Sequence, residues 1–374
     1  MARNLQHSML PRPDGEELAR QRYVLALKTH LGRRLRPGNR IIWEQAAQPA
    51  FERERGRPAA DRGEIAEAMY AEPGYQTWSA LNRCAQEMMW EAVGEAVFRD
   101  SPRMREEYVR LSDARAAGGS LELADDFPVP NVIRRINIHL QPGGYARDED
   151  PADIVAGAFY EAGGALYSMG QSVGTRESKA ELVQRFLAER YPGFRPARVL
   201  DMACSAGGSS VPYALAWPDA EVHAIDVGPG MLRYAHARAE ALGARVHFHQ
   251  RDVTDTGFAD GSFDLVVSHN AMHEMSQVTQ AAMMHESFRL LAPGGVCVHQ
   301  DVPLRYAELD EFTRFERGWD LRNNNEPFWE AYATNDPQRM LAEAGFPEAE
   351  ISVGYFEQLD GSMRWFLAAA RKPA

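Results

Sequence analysis

The sequence predicts an α/β fold with a Rossmann-like, doubly wound, mostly parallel seven-stranded sheet and an N-terminal mainly helical domain. From residue 198 onward, short apolar runs alternate with segments of helical periodicity, which requires a parallel sheet covered by helices on both faces. One of these runs ends in an acid followed by small residues, a pattern typical of a ligand-binding strand end. A chain of 374 residues favours two domains, and we place their boundary after residue 150, with a helical lid or dimerisation domain over 1–150 and the sheet domain over 151–374.

The strands and helices of the sheet domain follow from periodicity and from proline and glycine signals. Pro229 opens one helix and Gly243 closes it, as those residues commonly do. Gly294 and Gly295 stop a later helix before the fifth strand. The predicted strands are 198–201, 221–225, 245–249, 263–268, 295–300, 349–355 and 363–370. The predicted helices between them are 208–216, 229–242, 276–291 and 336–344.

The first 150 residues are predicted to be mainly helical. Segments 16–35 and 75–98 place apolar residues at helical spacing, and the Met and Trp side chains of the second segment are typical of core packing. Residues 132–140 alternate like a strand. A polar hinge over 147–151 marks the domain boundary.

Composition narrows the classes of function. The net charge of −12 and a pI near 5.5 argue against a nucleic-acid partner. The three cysteines, Cys84, Cys204 and Cys297, offer neither a disulfide framework nor a metal pattern, and we expect no metal. Because the first residues lack the apolar core of a signal peptide and no apolar run reaches membrane-spanning length, we expect a cytoplasmic protein without a membrane partner.

Residues 199–210 read Val-Leu-Asp-Met-Ala-Cys-Ser-Ala-Gly-Gly-Ser-Ser, a strand end, a turn of small residues and a helix start. Asp226 ends the next predicted strand, where an acid can accept both ribose hydroxyls of a nucleoside. A dinucleotide and S-adenosylmethionine both remain possible ligands. The turn lacks the first two glycines of the dinucleotide fingerprint, and Asp201 would repel a pyrophosphate but attract an ammonium and a sulfonium. These features favour S-adenosylmethionine.

Four further motifs follow in order: 250–253, 260–268, 269–274 and 290–295. Taken with the two acidic strand ends, they resemble the class I S-adenosylmethionine-dependent methyltransferase family over about residues 195–302. The resemblance implies that Asp252 and Val253 hold the adenine and that main-chain groups of Ser268 and His269 meet the amino-acid end of the cofactor. The implied cofactor-binding residues are Asp201, Ala203, Ser205, Gly207, Asp226, Val227, Met231, Asp252, Val253, Ser268 and His269.

Two turn positions depart from the family pattern, because Ala203 and Ser205 stand where glycine is usual. Relatives also replace the first glycine, but replacement of the central one is less usual. The hydroxymethyl group of Ser205 either narrows the space around the cofactor or hydrogen-bonds its carboxylate.

Candidate catalytic residues follow the fourth strand of the sheet domain. Transfer of a methyl group from a sulfonium requires an aligned acceptor and, for a hydroxyl or ammonium, removal of a proton. His273 is our first choice for that base because its ordinary pKa is near neutral, with Asn270 and Glu274 beside it. In the alternative interpretation His273 only packs under the next helix, and Glu274 begins that helix, where an acid suits the helix dipole.

The candidate acceptor-binding residues are Tyr160, Tyr167, Asn324 and Trp329. Residues 323–329 combine three consecutive amides with aromatic side chains, which suits a pocket for a polar small molecule. The alternative is a solvent-facing turn, since Asn and Pro favour turns.

These observations predict an enzyme that transfers a methyl group from S-adenosylmethionine to the O, N or S atom of a small-molecule acceptor, with a homodimer as one option for its assembly. Three alternatives stay open. The same cofactor could undergo cyclisation or elimination that releases methylthioadenosine, the domain could bind the cofactor without catalysis, or the protein could be a dehydrogenase.

Overall fold

A computed structural model describes residues 6–169 and 178–374. In this part of the chain eight strands form one sheet of order β1-β4-β3-β2-β5-β6-β8-β7. The strands are β1 Ser120–Glu122, β2 Arg198–Met202, β3 Glu221–Asp226, β4 His247–Gln250, β5 Phe263–His269, β6 Leu291–Asp301, β7 Ile351–Glu357 and β8 Arg364–Arg371.

Fifteen α-helices accompany the sheet within the described residues. In the N-terminal part they are α1 Gly15–His30, α2 Gly38–Ile42, α3 Gln48–Arg55, α4 Arg62–Tyr70, α5 Pro73–Ala114 and α6 Asn131–Arg135. In the remainder they are α7 Val155–Tyr167, α8 Lys179–Arg190, α9 Ser210–Ala216, α10 Pro229–Ala241, α11 Gln277–Leu290, α12 Glu311–Arg317, α13 Trp319–Asn323, α14 Trp329–Ala333 and α15 Pro337–Glu343.

The predicted mostly parallel, Rossmann-like sheet is confirmed, and all seven predicted strands are present. Only β8 runs against its neighbours β6 and β7. The structure adds one strand, β1, which the sequence analysis did not anticipate. β1 pairs in parallel with β4, with Ser120 opposite His247, and the Ser120 hydroxyl lies 2.8 Å from Nδ1 of His247.

The chain order reverses on either side of β2, which pairs with β3 on one side and β5 on the other. In an open α/β sheet the crevice outside the carboxyl ends of such strands is the usual ligand site. Two apolar cores, one on each face of the sheet, hold these strand ends in place. The polar residues that follow β2, β3, β5 and β6 therefore meet at one edge.

The N-terminal helices pack on the sheet domain at two places. At the first place, α5 packs against both α7 and α10. These two helices are themselves in close contact, because a Cβ added to Gly157 of α7 would lie only 2.4 Å from Cβ of Tyr234 on α10. At the second place, Trp78 of α5 contacts Trp319 of α13. The division at residue 150 stays a prediction. No helix in 6–169 or 178–374 is long and apolar enough to cross a membrane.

The strand expected over residues 132–140 is wrong. The segment forms α6 and then a 3-10 turn, Ile138–Leu140. His139 and Leu140 adopt left-handed backbone conformations, with φ of +56° and +64°, so an extended strand cannot continue through them. The carbonyl of His139 is fixed by Nε1 of Trp90, at 2.6 Å, and by Nε2 of Gln86, at 3.1 Å.

Candidate functional site

The turn after β2 contains the three positions where family members commonly carry glycine. Ala203, Ser205 and Gly207 all have positive φ, at +55°, +50° and +73°. Glycine takes this conformation freely, whereas a residue with a Cβ is strained in it by roughly 1 kcal/mol or more. The structure therefore keeps the backbone shape that glycines would provide, with two side chains added.

Asp201 lies at the end of β2 and is fully buried. Its Oδ2 accepts hydrogen bonds of 2.6 Å from the hydroxyls of Ser209 and Ser210, and its buried Oδ1 has no partner among the described residues. Burial raises the pKa of Asp201 to about 6, although both hydroxyls and Lys179 act against the rise. The free oxygen suits the ammonium predicted here.

Asp226 ends β3, and its carboxylate fixes the main chain on both sides. Oδ2 accepts from the amide of Ser205 and Oδ1 from the amide of Gly228, both at 2.9 Å. Each oxygen keeps a lone pair, so the predicted bonds to ribose hydroxyls are compatible with this arrangement. Val227 is half-buried beside it, and Met231 on α10 is buried.

The predicted adenine-binding pair lies in the turn after β4. Oδ1 of Asp252 accepts from both the amide and the hydroxyl of Thr254, at 2.8 and 2.7 Å. Val253 is buried in the apolar core on one face of the sheet. The pair is close to the strand ends in the fold, and its contact with adenine stays a prediction.

Ser268 and His269 end β5 and are both buried. The Ser268 hydroxyl lies 2.9 Å from Nδ1 of His299. His269 lies between the Tyr213 hydroxyl, 2.9 Å from Nε2, and Oε1 of Gln300, 3.0 Å from Nδ1. Burial lowers the pKa of His269 to about 3, so the neutral ring donates to Gln300 and accepts from Tyr213.

The three predicted catalytic residues lie just after β5. Asn270 has φ of +55°, and the 3-10 turn Met272–Glu274 follows it. Nδ1 of His273 lies 2.6 Å from Oδ1 of Asp301, the last residue of β6. Burial opposes the charged ring, but Asp301 and the nearby acids raise the pKa of His273 to about 9. Glu274 does not begin α11, because Ser276 is its N-cap.

Two residues from distant parts of the chain join this turn. Nε2 of His139 lies 3.0 Å from Oε1 of Glu274, and Nδ1 of His139 contacts Oε1 of Glu326. Oε1 of Glu274 also lies 3.6 Å from Nε2 of His273. We call His139, His273, Glu274 and Glu326 the His–Glu cluster.

The charged side chains of the His–Glu cluster shift one another's pKa values. Burial disfavours a charged His139, but Glu326 and Glu274 outweigh burial and raise its pKa to about 10. Burial likewise opposes ionisation of Glu274, yet His139 and His273 hold its pKa below the usual range. For Glu326 burial is the larger effect, and its pKa is raised.

The predicted acceptor-binding residues surround this cluster. The Tyr167 hydroxyl lies 2.7 Å from Nδ1 of His139 and accepts a 2.8 Å hydrogen bond from Nδ2 of Asn324. The Trp329 ring stands edge-on to His273, with centroids 5.6 Å apart. Residues 323–329 are thus not a solvent-facing turn, because Asn324 and Glu326 are buried.

Tyr160 connects the cluster to the cofactor turn. Burial raises the pKa of Tyr160 to about 12, and a hydrogen bond with Ser205 acts in the opposite direction. The rings of Tyr160 and Tyr145 lie 5.8 Å apart, edge to face, and the Tyr145 hydroxyl donates to Oε1 of Glu274 at 3.3 Å. A continuous row of side chains therefore runs from the turn after β2 to the His–Glu cluster.

Four residues of this site were not among the predicted site residues. His139 lies in the segment 132–140, which was predicted as a strand, Glu326 lies in the polar and aromatic segment 323–329, and Asp301 is the acid that ends β6. Lys179 begins α8, and burial lowers its pKa to about 8 against the attraction of Asp301 and Asp201.

Comparison with known proteins supports the methyltransferase resemblance over part of the chain. Residues 199–295 match a family model described as a methyltransferase domain. The chain carries a class I S-adenosylmethionine-dependent methyltransferase domain. The methyltransferase resemblance and the predicted cofactor, S-adenosylmethionine, are thereby confirmed.

Relatives match the methyltransferase domain over part of their length. The chain is 35% identical over 108 residues to demethylmenaquinone methyltransferase of Thermus thermophilus, covering 29% of this chain and 48% of that protein. It is 29% identical over 194 residues to phosphoethanolamine N-methyltransferase 1 of Arabidopsis thaliana, covering 50% and 36%. In both relatives the match spans less than half of the protein.

One solved structure similar to this fold is Haemonchus contortus phosphoethanolamine N-methyltransferase 2 in complex with phosphomonomethylethanolamine and S-adenosylhomocysteine. The TM-score is 0.39 at 19% identity, over 51% of this chain and 52% of that chain.

Proposed function

We propose that this protein transfers a methyl group from S-adenosylmethionine to a small-molecule acceptor held beside the His–Glu cluster. The observation that carries the proposal is the row of contacts from Ser205 through Tyr160 and Tyr145 to Glu274. It supports a single site at the carboxyl edge of the sheet, bounded on one side by the cofactor turn and on the other by the His–Glu cluster. An acceptor between them would face the sulfonium methyl group.

His273 is the proposed base. Asp301 holds Nδ1 of the ring at 2.6 Å, which directs Nε2 away from Asp301 and toward the cluster. The acceptor's proton passes to Nε2 while its O, N or S atom bonds to the methyl carbon, and the carbon–sulfur bond breaks to leave S-adenosylhomocysteine. Because the pKa of His273 is raised to about 9, only a small fraction of the ring is ready to accept a proton at neutral pH. Glu274 and Asn270 are proposed to position the acceptor.

Buried polar groups favour a small, polar acceptor. Tyr167, Asn324 and Glu326 lie together around His139 and are proposed to hold it, with Trp329 and Tyr160 as aromatic walls. The two relatives described above are named for demethylmenaquinone and phosphoethanolamine, and neither is a macromolecule, although only phosphoethanolamine is strongly polar. The net charge of −12 disfavours a nucleic-acid acceptor. A cytoplasmic location and a homodimer stay predictions.

The test uses the whole chain, methyl-labelled S-adenosylmethionine and an unfractionated cell extract. We expect the label on a small molecule and release of S-adenosylhomocysteine, with both lost in the His273→Asn variant. His236→Asn is the matched control, because His236 is a buried histidine of α10 outside the site. Release of methylthioadenosine, or label found only on macromolecules, would overturn the proposal.

A further inference from the structure

The His–Glu cluster concentrates metal-binding donors. One ligand atom from each of His139, His273, Glu274 and Glu326 can be chosen so that all four lie within 4.8 Å of one another. Donors of one coordination shell lie roughly 3–4 Å apart when bond lengths are about 2.0–2.2 Å. Small side-chain rotations would therefore bring the four donors into a single shell.

Two oxygens of the cluster are buried without a partner. Oε2 of Glu274 and Oε2 of Glu326 have no hydrogen-bond partner in 6–169 and 178–374, and Glu326 is only 1% exposed. A buried carboxylate oxygen left without a partner costs free energy. A cation between the two carboxylates would satisfy both oxygens.

Neighbouring polar side chains hold the donors in orientation. In metal sites a carboxylate or another polar group commonly does this by a hydrogen bond to the part of the ligand that does not face the metal. Asp301 holds Nδ1 of His273 and leaves Nε2 for the cluster. The hydroxyl of Tyr167 lies 2.7 Å from Nδ1 of His139, and the hydroxyl of Tyr145 donates to Oε1 of Glu274.

We propose that His139, His273, Glu274 and Glu326 bind one divalent transition-metal cation of the Fe²⁺, Co²⁺ or Zn²⁺ type. Imidazole nitrogens favour these cations over Mg²⁺ and Ca²⁺, which prefer oxygen donors alone. Two neutral imidazoles and two carboxylates supply two negative charges, so a divalent cation balances the charge of the four ligands. The earlier expectation of no metal rested on the cysteines, which take no part here.

The role of the cation rests on the proposed function, because that function places the acceptor beside the cluster. A cation held by four protein donors can accept a further oxygen ligand by expanding its coordination, and it lowers the pKa of a hydroxyl bound to it. In the loaded enzyme His273 would be a ligand and could not take the proton, so an acceptor hydroxyl bound to the cation would lose its proton to water. In the cation-free enzyme His273 remains the base.

Co²⁺ is the probe for the test, because its visible absorption reports the ligand geometry. The full-length protein is stripped with a chelator, titrated with Co²⁺, and analysed for metal content after dialysis. We expect the protein to bind one equivalent of Co²⁺ and to show a visible absorption band. The affinity for Co²⁺ should fall by about 10- to 100-fold in Glu326→Gln and in His139→Asn. The control His236→Asn removes a histidine whose Nε2 lies 3.9 Å from Glu240, and it should bind Co²⁺ normally.

A second histidine group provides a competing explanation that the titration resolves. Nδ1 of His223 on β3 lies 3.0 Å from Nε2 of His249 on the neighbouring strand β4. If Co²⁺ binding disappears in His249→Asn but persists in Glu326→Gln, the proposed site is wrong. Absence of stoichiometric binding in a folded protein, as judged by circular dichroism, overturns it as well.

Methyl transfer and cation binding are measured separately, so the two proposals can fail independently. Methyl transfer that is intact in a protein unable to bind Co²⁺ overturns the cation site alone. One equivalent of Co²⁺ bound at the cluster, with no methyl transfer to any extract component, overturns the proposed function alone.

Discussion

The cofactor turn and the His–Glu cluster are built in different ways. The turn uses residues that directly follow β2 and β3, and its main-chain amides are fixed by one nearby carboxylate, Asp226. The cluster uses side chains from segments as far apart as His139 and Glu326. Sheet topology positions the first, whereas tertiary packing positions the second. Under the proposed function, binding of the cofactor and activation of the acceptor would therefore depend on separate structural supports.

The largest expected effect comes from a substitution in the His–Glu cluster that should slow catalysis and leave cofactor binding unchanged. We expect His273→Asn, assayed in the chelated enzyme where His273 is the base, to lower kcat by about 1,000-fold, within the range for loss of a general base. The Kd for S-adenosylmethionine should stay unchanged, because His273 is not among the residues that fix the turn. Single-turnover kinetics and calorimetry measure the two quantities. A parallel loss of cofactor affinity would show that the regions are not independent.

Asp226→Asn tests the same independence of the two regions by a change at the cofactor turn. Loss of a charged acceptor for the ribose hydroxyls should raise the Kd for S-adenosylmethionine by about 100-fold, roughly 2.7 kcal/mol.

Asp264→Asn is the matched control for this change. Oδ2 of Asp264 also accepts from two amides, those of Ala197 and Arg198, at 2.9 and 2.8 Å, but it lies at the start of β5. An equal rise in Kd in both variants would assign the effect to fold stability.

The pH dependence of kcat/KM, measured after a chelator has removed any bound metal, should report the protonation of His273. His273 must be neutral to accept a proton, and its pKa is raised to about 9 by Asp301 and the nearby acids, against burial. We therefore expect kcat/KM to rise about tenfold per pH unit toward pH 9 and then level. The same shift stabilises the folded protein below the ordinary pKa of 6.5, and this contribution is lost as the pH rises through about 9. A profile that is flat from pH 6 to 9 contradicts a base role for His273.

The smallest effects should come from the strained turn. Ala203→Gly relieves a positive φ but adds freedom to the unfolded chain, so we expect a gain of only about 0.5 kcal/mol in the free energy of unfolding. Ser205→Gly relieves similar strain and also loses the contact with Tyr160, so its gain should be smaller. Urea denaturation of the two variants measures that difference. A larger gain for Ser205→Gly would mean that the Tyr160 contact contributes nothing.

Much of the fold and of the cofactor turn could be predicted because both depend on local signals. Apolar runs, turn residues and the strand-end acids Asp201 and Asp226 lie close together in sequence or at family spacing. β1 was missed because a three-residue strand is too short to show alternation. Its pairing depends on where the preceding helices place it.

The His–Glu cluster could be predicted only in part, because its members meet through packing. His273 and Glu274 were visible after a strand, but nothing local joins them to His139. The backbone of His139 is turned by contacts with Trp90 and Gln86 on α5, a helix about 50 residues earlier in the chain. The alternation of residues 132–140 therefore predicted a strand where packing imposes a turn.

The position of β1 has a consequence for attempts to isolate the methyltransferase domain. β1 covers one margin of β4 through main-chain pairing, and it lies within the first 150 residues. A fragment that starts at residue 151 would leave the amides and carbonyls of β4 open to strands from other molecules, an arrangement that promotes aggregation. A fragment that starts before Ser120 would retain that cover, so the helical region shields the sheet as well as packing on it.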